Sequence, residues 1–89
     1  MPAISQAKIK KIKESILALL FEKMPSVLFT SNIASELARD EEFIKKILFE
    51  LEKDGLVKRV NTNFLRKIKW TLSDKAYLAY KSLQERNEK

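Results

Sequence analysis

Cysteine and histidine are both absent from this chain of 89 residues, and glycine occurs only once. Without these side chains the protein can form no disulfide, no Cys/His zinc site and no Cys or His nucleophile–base pair. Only carboxylates remain as metal ligands, and they do not have the spacing of an EF-hand loop. We therefore expect no enzyme, no cofactor and no metal.

Long apolar runs are absent as well. The longest block, residues 16–21, is far shorter than the ~20 residues that span a membrane. The lysine-rich start lacks the apolar segment of a signal peptide. We expect a cytoplasmic, nucleoid-associated protein with no membrane partner. Abundant lysine and glutamate with almost no glycine favour a thermophilic, archaeal host.

What is present has the composition of a small folded domain. Hydrophobic residues make up 45% of the chain, which is too apolar for a disordered segment. We expect one domain over residues 1–89. Because a core of this size is small, dimerisation would bury further apolar surface.

Periodic apolar residues predict the secondary structure. Ile9, Ile12 and Ile16 recur at helical spacing, whereas Ile68 and Trp70 alternate with polar residues as in a strand with one buried side. The predicted fold is mainly α with a small β-hairpin (α+β), in the order α-(β)-α-α-β-β-α. The expected bounds are 6–23 for the N-terminal helix, 31–54 for a helix-turn-helix, 56–73 for the hairpin and 74–86 for the C-terminal helix.

Polar residues and one glycine mark the helix ends. Thr30 or Ser31 is expected to cap the second helix by accepting from its free backbone N–H groups. Asp40 and Ser73 are expected to cap the third and fourth helices in the same way. Gly55 ends the third helix, since the left-handed conformation that follows a helix costs glycine least.

The residues that match a known pattern occupy the helix-turn-helix and the segments after it. They are Ile33, Ala34 and Leu37, then Ile44, Leu48 and Leu51, then GLVKR at 55–59 and WTLSDKA at 70–76. This order resembles the winged-helix DNA-binding domains of small bacterial and archaeal transcriptional regulators of the MarR, PadR and ArsR type. The resemblance implies that helix 41–54 enters the major groove of double-stranded DNA, while the hairpin, or wing, lies on the phosphate backbone.

The net charge of +6 is unevenly distributed. Residues 1–13 carry four lysines and no acid, residues 14–52 hold four basic and eight acidic side chains, and residues 53–69 hold six basic and one acidic. Phosphate neutralisation supplies most of the non-specific affinity for DNA. The cations expected to contact phosphates are therefore those of the wing: Arg59, Arg66, Lys67 and Lys69.

The outward side of the third helix supplies the candidates for base contact. Lys45, Lys46, Phe49 and Lys53 lie opposite its apolar face at 100° per residue. Lysine reaches guanine O6 and N7, and phenylalanine packs on a thymine methyl group. Phe49 has a second interpretation, packing on the wing or on a partner subunit. The acidic first turn is expected to compensate the helix dipole.

Spare apolar residues on the two terminal helices predict a homodimer, since two-fold dimers are the commonest oligomers. On the last helix the residues expected to face inward are Ala76, Ala79, Tyr80 and Leu83. Tyr77 and Leu78 lie outside this stripe, and Phe21 lies at the edge of that of the first helix. No small-molecule ligand is indicated.

Three functions remain open. The first is a dimeric, sequence-specific DNA-binding transcriptional regulator. The second is a winged-helix protein–protein interaction module, which the acidic helix-turn-helix and the aromatic residues Phe43 and Phe49 would suit. The third is a low-specificity architectural DNA-binding protein of the chromatin type, which the basic N-terminus and wing would suit.

Overall fold

The structure, a computed structural model, describes residues 5–60 and 67–87. Its elements are α1 (Gln6–Lys23), β1 (Leu28–Phe29), α2 (Thr30–Leu37), α3 (Glu41–Lys53), β2 (Val57–Val60), β3 (Lys69–Leu72) and α4 (Asp74–Asn87). This confirms the predicted order. The hairpin tip, residues 62–66, lies outside the described residues, and so does the candidate Arg66. No helix of the described part is long and apolar enough to cross a membrane.

The three strands form an antiparallel sheet in the order β1-β3-β2, so β3 is central. Trp70 of β3 lies opposite Leu28 on one side and Arg59 on the other. Its side chain is completely buried, and its indole N–H donates to the Thr30 hydroxyl at 2.8 Å. The interpretation of Trp70 as a core residue is confirmed. Within residues 5–60 and 67–87, the other large side chains that are fully buried are Ile16, Leu20, Ile33, Ile44, Leu48, Leu51 and Leu72.

Helix α2 begins differently from the prediction. The residue at its N-cap is Phe29, so the expectation that Thr30 or Ser31 caps this helix is wrong. Thr30 is instead the first helical residue, because its hydroxyl accepts from Trp70 and its N–H donates to the Ile68 carbonyl at 3.2 Å. The free Phe29 N–H donates to the Asn32 side chain at 3.1 Å. The end of β1 thus leads directly into the helix-turn-helix.

Helix α3 begins and ends as predicted. The Asp40 carboxylate accepts from the Phe43 N–H at 3.1 Å, which satisfies one of the unpaired donors of the first turn. After the helix, Gly55 adopts a left-handed φ of +79°. The chain then enters β2 directly, which fixes the wing close to the end of α3.

Ser73 joins the end of the sheet to α4. Its hydroxyl accepts from the Ala76 N–H at 3.2 Å and donates to the Gly55 carbonyl at 2.8 Å. Because Ser73→Ala removes both bonds, we expect it to lower the free energy of unfolding by about 1–2 kcal/mol, measured by urea denaturation. Ser82→Ala removes an exposed hydroxyl of the same helix and should change stability by less than about 0.5 kcal/mol. Equal effects of the two substitutions would contradict this role of Ser73.

Helix α4 packs through fewer residues than predicted. Ala76 is buried and Tyr80 is half-buried, as expected, but Ala79 and Leu83 are exposed, so their predicted inward positions are wrong. The inner side is rotated because the Phe21 ring of α1 lies 5.9 Å from that of Tyr77 and 5.5 Å from that of Tyr80. Burial, and secondarily the Glu14 carboxylate, raises the pKa of the Tyr80 phenol above its usual value.

Candidate nucleic-acid interface

Helix α3 has one apolar face and one charged face. Its buried residues are Ile44, Ile47, Leu48 and Leu51. On the opposite side Lys46 and Lys53 are exposed, the Lys45 side chain is 40% exposed and Phe49 is 39% exposed. The four candidates that the sequence placed on this helix therefore share its outer side.

Carboxylates balance much of the positive charge on α3. The helix carries four glutamates and three lysines. Lys45 Nζ lies 3.8 Å from a Glu42 oxygen, and Lys13 of α1 reaches Glu50 at 3.1 Å. Such exposed pairs add little to stability. They do lower the positive potential that the helix offers to a polyanion.

Arg59 of β2 points towards α3. Its Nε lies 3.1 and 3.0 Å from the two oxygens of Glu52, and its Nη2 lies 3.0 Å from Oε1. The guanidinium also lies over two aromatic rings, 4.8 Å from the Phe49 centroid and 5.6 Å from that of Trp70. The side chain predicted to contact a phosphate therefore has partners on two elements of its own chain.

Phe49 packs on the wing. Its ring centroid lies 5.9 Å from that of Trp70 on β3, and the guanidinium of Arg59, on β2, lies over the same ring. These contacts agree with the second interpretation of Phe49, packing on the wing. Part of the ring still faces solvent between Lys45 and Lys53 along the helix.

Two further wing cations, Lys67 and Lys69, lie beside Phe29, the residue that precedes α2. Lys67 Nζ and Lys69 Nζ lie 5.5 and 5.3 Å from the centroid of the Phe29 ring. Lys67 and Lys45 line the same open cavity, of about 230 Å³, together with Glu41. The structure therefore brings a cation of the wing and a cation of α3 to one concave surface, which also includes the start of α2.

A second basic concavity was not predicted as a unit. Arg39, in the turn after α2, lines a cavity of about 270 Å³ with Lys8 and Lys11 of α1, over a floor that includes Ile12 and Leu37. Among the residues that the structure describes, no acidic side chain lines it. Arg39 was not predicted as a binding residue because residues 14–52 carry a net negative charge. The packing of α1 on α2 brings Arg39 together with Lys8 and Lys11.

Solved structures with the same architecture are winged-helix regulators of the MarR family, which are not enzymes. Lactococcus lactis ZitR, described as a zinc-responsive MarR family member, is 27% identical with a TM-score of 0.69, over 99% of this chain and 60% of that one. A mutant of MepR from a multidrug resistant S. aureus clinical isolate is 20% identical with a TM-score of 0.71, over 81% and 53%. Streptococcus pneumoniae FabT in complex with DNA is 19% identical with a TM-score of 0.69, over 88% and 53%.

These structural similarities support the fold of this chain, but they do not identify what it binds. The chain spans 60% of the length of ZitR and 53% of the lengths of MepR and FabT. No family model and no curated protein matches it. It has neither Cys nor His, and within residues 5–60 and 67–87 no cluster of acidic side chains could hold a metal ion. From its element order and these structural similarities, the chain has the winged helix-turn-helix fold that it shares with MarR-family regulator structures.

Proposed function

We propose that this protein is a DNA-binding transcription regulator that inserts α3 into the major groove and places its wing on the phosphate backbone. The observation that carries the proposal is the single concave surface that Lys45 of α3 and Lys67 of the wing line together. In a winged helix these two elements meet the duplex side by side. The fold likeness to FabT, whose structure was solved in complex with DNA, supports DNA binding.

Two groups of side chains divide the work. Lys45, Lys46 and Lys53 on the outer side of α3 are the candidates to reach bases or the phosphates that flank the groove. The candidates for phosphate contact are Lys67 and Lys69, together with Arg66, which the sequence pattern predicts to lie at the hairpin tip. Arg59 and Phe49 already contact each other and the sheet, so this assignment does not require either of them to touch DNA.

A homodimer would present two copies of α3 to half-sites about 34 Å apart. The proposed seam is formed by the N- and C-terminal helices. Leu78 and Leu83 are 62% and 51% exposed on α4, beside the aromatic cluster of Phe21, Tyr77 and Tyr80. Sedimentation velocity would separate the two states, and a monomer at concentrations that saturate DNA would contradict the dimer.

The charge balance of α3 supports a second candidate, an architectural protein that binds DNA with little sequence preference. Four glutamates on the helix weaken direct base reading by lysine, whereas the wing cations favour phosphate contacts that carry no sequence information. The two candidates share the same protein surface. They differ in whether one DNA sequence competes better than another.

A titration of labelled duplexes followed by fluorescence anisotropy tests the proposal. We expect binding at low salt to a pool of random duplexes, and a subset of sequences that survives competition by unlabelled random DNA. Binding without any preferred sequence would support the architectural candidate. No binding at low salt would contradict both and leave the protein-interaction module.

A further inference from the structure

Arg59 contacts both an acidic and an aromatic side chain of α3 on the candidate interface. Its guanidinium has two donor nitrogens within 3.1 Å of the Glu52 carboxylate and covers the ring of Phe49 at 4.8 Å. Paired and stacked contacts of this kind use the planar fork of arginine, and lysine cannot reproduce them. The Arg59 side chain is 48% exposed and that of Glu52 is 34% exposed, so the pair is partly withdrawn from water.

The contacts extend across the elements that would meet DNA. Glu52 and Phe49 belong to α3, and Arg59 belongs to β2. Trp70 of β3 lies directly opposite Arg59 in the sheet, touches the Phe49 ring and donates to Thr30 at the start of α2. We call Glu52, Phe49, Arg59 and Trp70 the Arg59 bridge. It connects the recognition helix to both strands of the wing.

A phosphate contact through Nη1 alone would lie beside the Glu52 carboxylate, and a phosphate that took Nε and Nη2 would disturb this bridge. In the second case the guanidinium would have to leave Glu52, which would leave a carboxylate without its partner beside an incoming polyanion. It would also have to leave the Phe49 ring, which would expose more apolar surface. Lys67 and Lys69 would leave no carboxylate unpaired, because no ion pair holds them within the described residues; each lies only over the face of the Phe29 ring there.

We propose that Arg59 is a positioning residue, which fixes the wing to α3 through Glu52 and Phe49 and supports DNA binding without contacting a phosphate. This proposal rests on the proposed function for its effect on DNA affinity. Phe49 is then the surface on which the guanidinium stacks, not a reader of bases. Arg59 then adds to the Gly55 turn and the buried Trp70 in fixing the orientation of the wing relative to α3.

The two roles of Arg59 predict opposite effects of Glu52→Gln. If Arg59 binds phosphate, removing its competitor raises DNA affinity. If Arg59 positions the wing, Glu52→Gln lowers affinity by about tenfold, because one partner of the bridge is lost. Glu42→Gln is the matched control, since it removes the same charge from the same helix and frees Lys45, which lies 3.8 Å away. The control should bind more tightly than the wild type. An increase for both variants would overturn the proposal.

Arg59→Lys keeps the charge and removes the fork. We expect a loss of affinity of about tenfold, with an unchanged slope of log K against log salt, because the number of phosphates neutralised stays the same. The double variant Glu52→Gln with Arg59→Lys should bind no more weakly than either single variant. A loss below about threefold for Arg59→Lys would indicate a simple phosphate contact and overturn the proposal.

Measurements without DNA keep this proposal separate from the proposed function. Trp70 is the only tryptophan of the chain and lies 5.6 Å from the guanidinium, so its fluorescence reports the bridge directly. We expect Arg59→Lys and Glu52→Gln to shift the emission alike, and Glu42→Gln to leave it unchanged. The effects of Arg59→Lys and Glu52→Gln on the equilibrium constant of unfolding should not be independent. The double variant should differ by about fivefold from the product of the two single effects. If the wild type binds no DNA while these results hold, the proposed function fails and the bridge stands; additive unfolding constants would remove the bridge itself.

Discussion

Replacement of Trp70 by alanine is expected to lower the free energy of unfolding by about 4 kcal/mol. The side chain is fully buried at the centre of the sheet, and its removal leaves a cavity between α2, α3 and the wing. A loss of this size is a large part of the total stability of a small domain, about 5–15 kcal/mol. Urea denaturation followed by far-ultraviolet circular dichroism measures it, since the variant has no tryptophan to report by fluorescence.

A milder pair of substitutions separates the hydrogen bond from the packing. Trp70→Phe keeps an aromatic ring but removes the donor that the Thr30 hydroxyl accepts at 2.8 Å, and Thr30→Val leaves the indole N–H buried without a partner. Each single change should leave one unpaired polar group. That group should lower the free energy of unfolding by about 1–3 kcal/mol, in addition to the effect of the lost packing. The double variant should be less destabilised than the sum of the two. Strict additivity would show that this bond does not couple α2 to β3.

Removal of two of the wing lysines, by Lys67→Ala with Lys69→Ala, is expected to weaken DNA binding by about 30-fold at 0.15 M salt. Each phosphate contact contributes a slope of about 0.9 in log K against log salt, so the slope should decrease by about 1.8. Neither lysine is paired with a carboxylate within the described residues. Anisotropy titrations at several salt concentrations give both quantities.

Lys58→Ala is the matched control for the wing charge. Lys58 lies on the same hairpin, but its Nζ is 3.7 Å from the Asp74 carboxylate of α4, so its charge is already balanced. We expect a change in affinity below about threefold and a slope close to that of the wild type. If Lys58→Ala weakens binding as much as the change at Lys67 and Lys69, the affinity follows net charge and not the proposed surface.

The sequence predicts the parts of this fold that local chemistry decides. Asp40, Gly55 and Ser73 mark the element ends correctly because the conformation or cap that each supplies involves backbone groups within a few residues; only the second bond of Ser73, to the Gly55 carbonyl, is long-range. The start of α2 is different: Thr30 has the side chain of a cap, but its hydroxyl accepts from Trp70, forty residues away. A tertiary contact of that separation leaves no local pattern.

The candidate site is predictable in its location and less so in its contacts. The spacing on α3 correctly places Lys45, Lys46 and Lys53 on the outer side, since a helix fixes these directions. Arg59 has the charge and position of a phosphate ligand, and only the structure brings it onto Glu52 and Phe49. The left-handed turn at Gly55, between α3 and β2, places Arg59 next to these two residues.

We propose that α3 and the wing together form the surface that binds duplex DNA. Backbone amide shifts in a ¹H–¹⁵N NMR titration with a short duplex test it most directly. We expect the largest shifts on the outer side of α3 and at Lys67 and Lys69, with small shifts along α4. Shifts confined to α1 and α4, or no shifts at low salt with excess duplex, would contradict it.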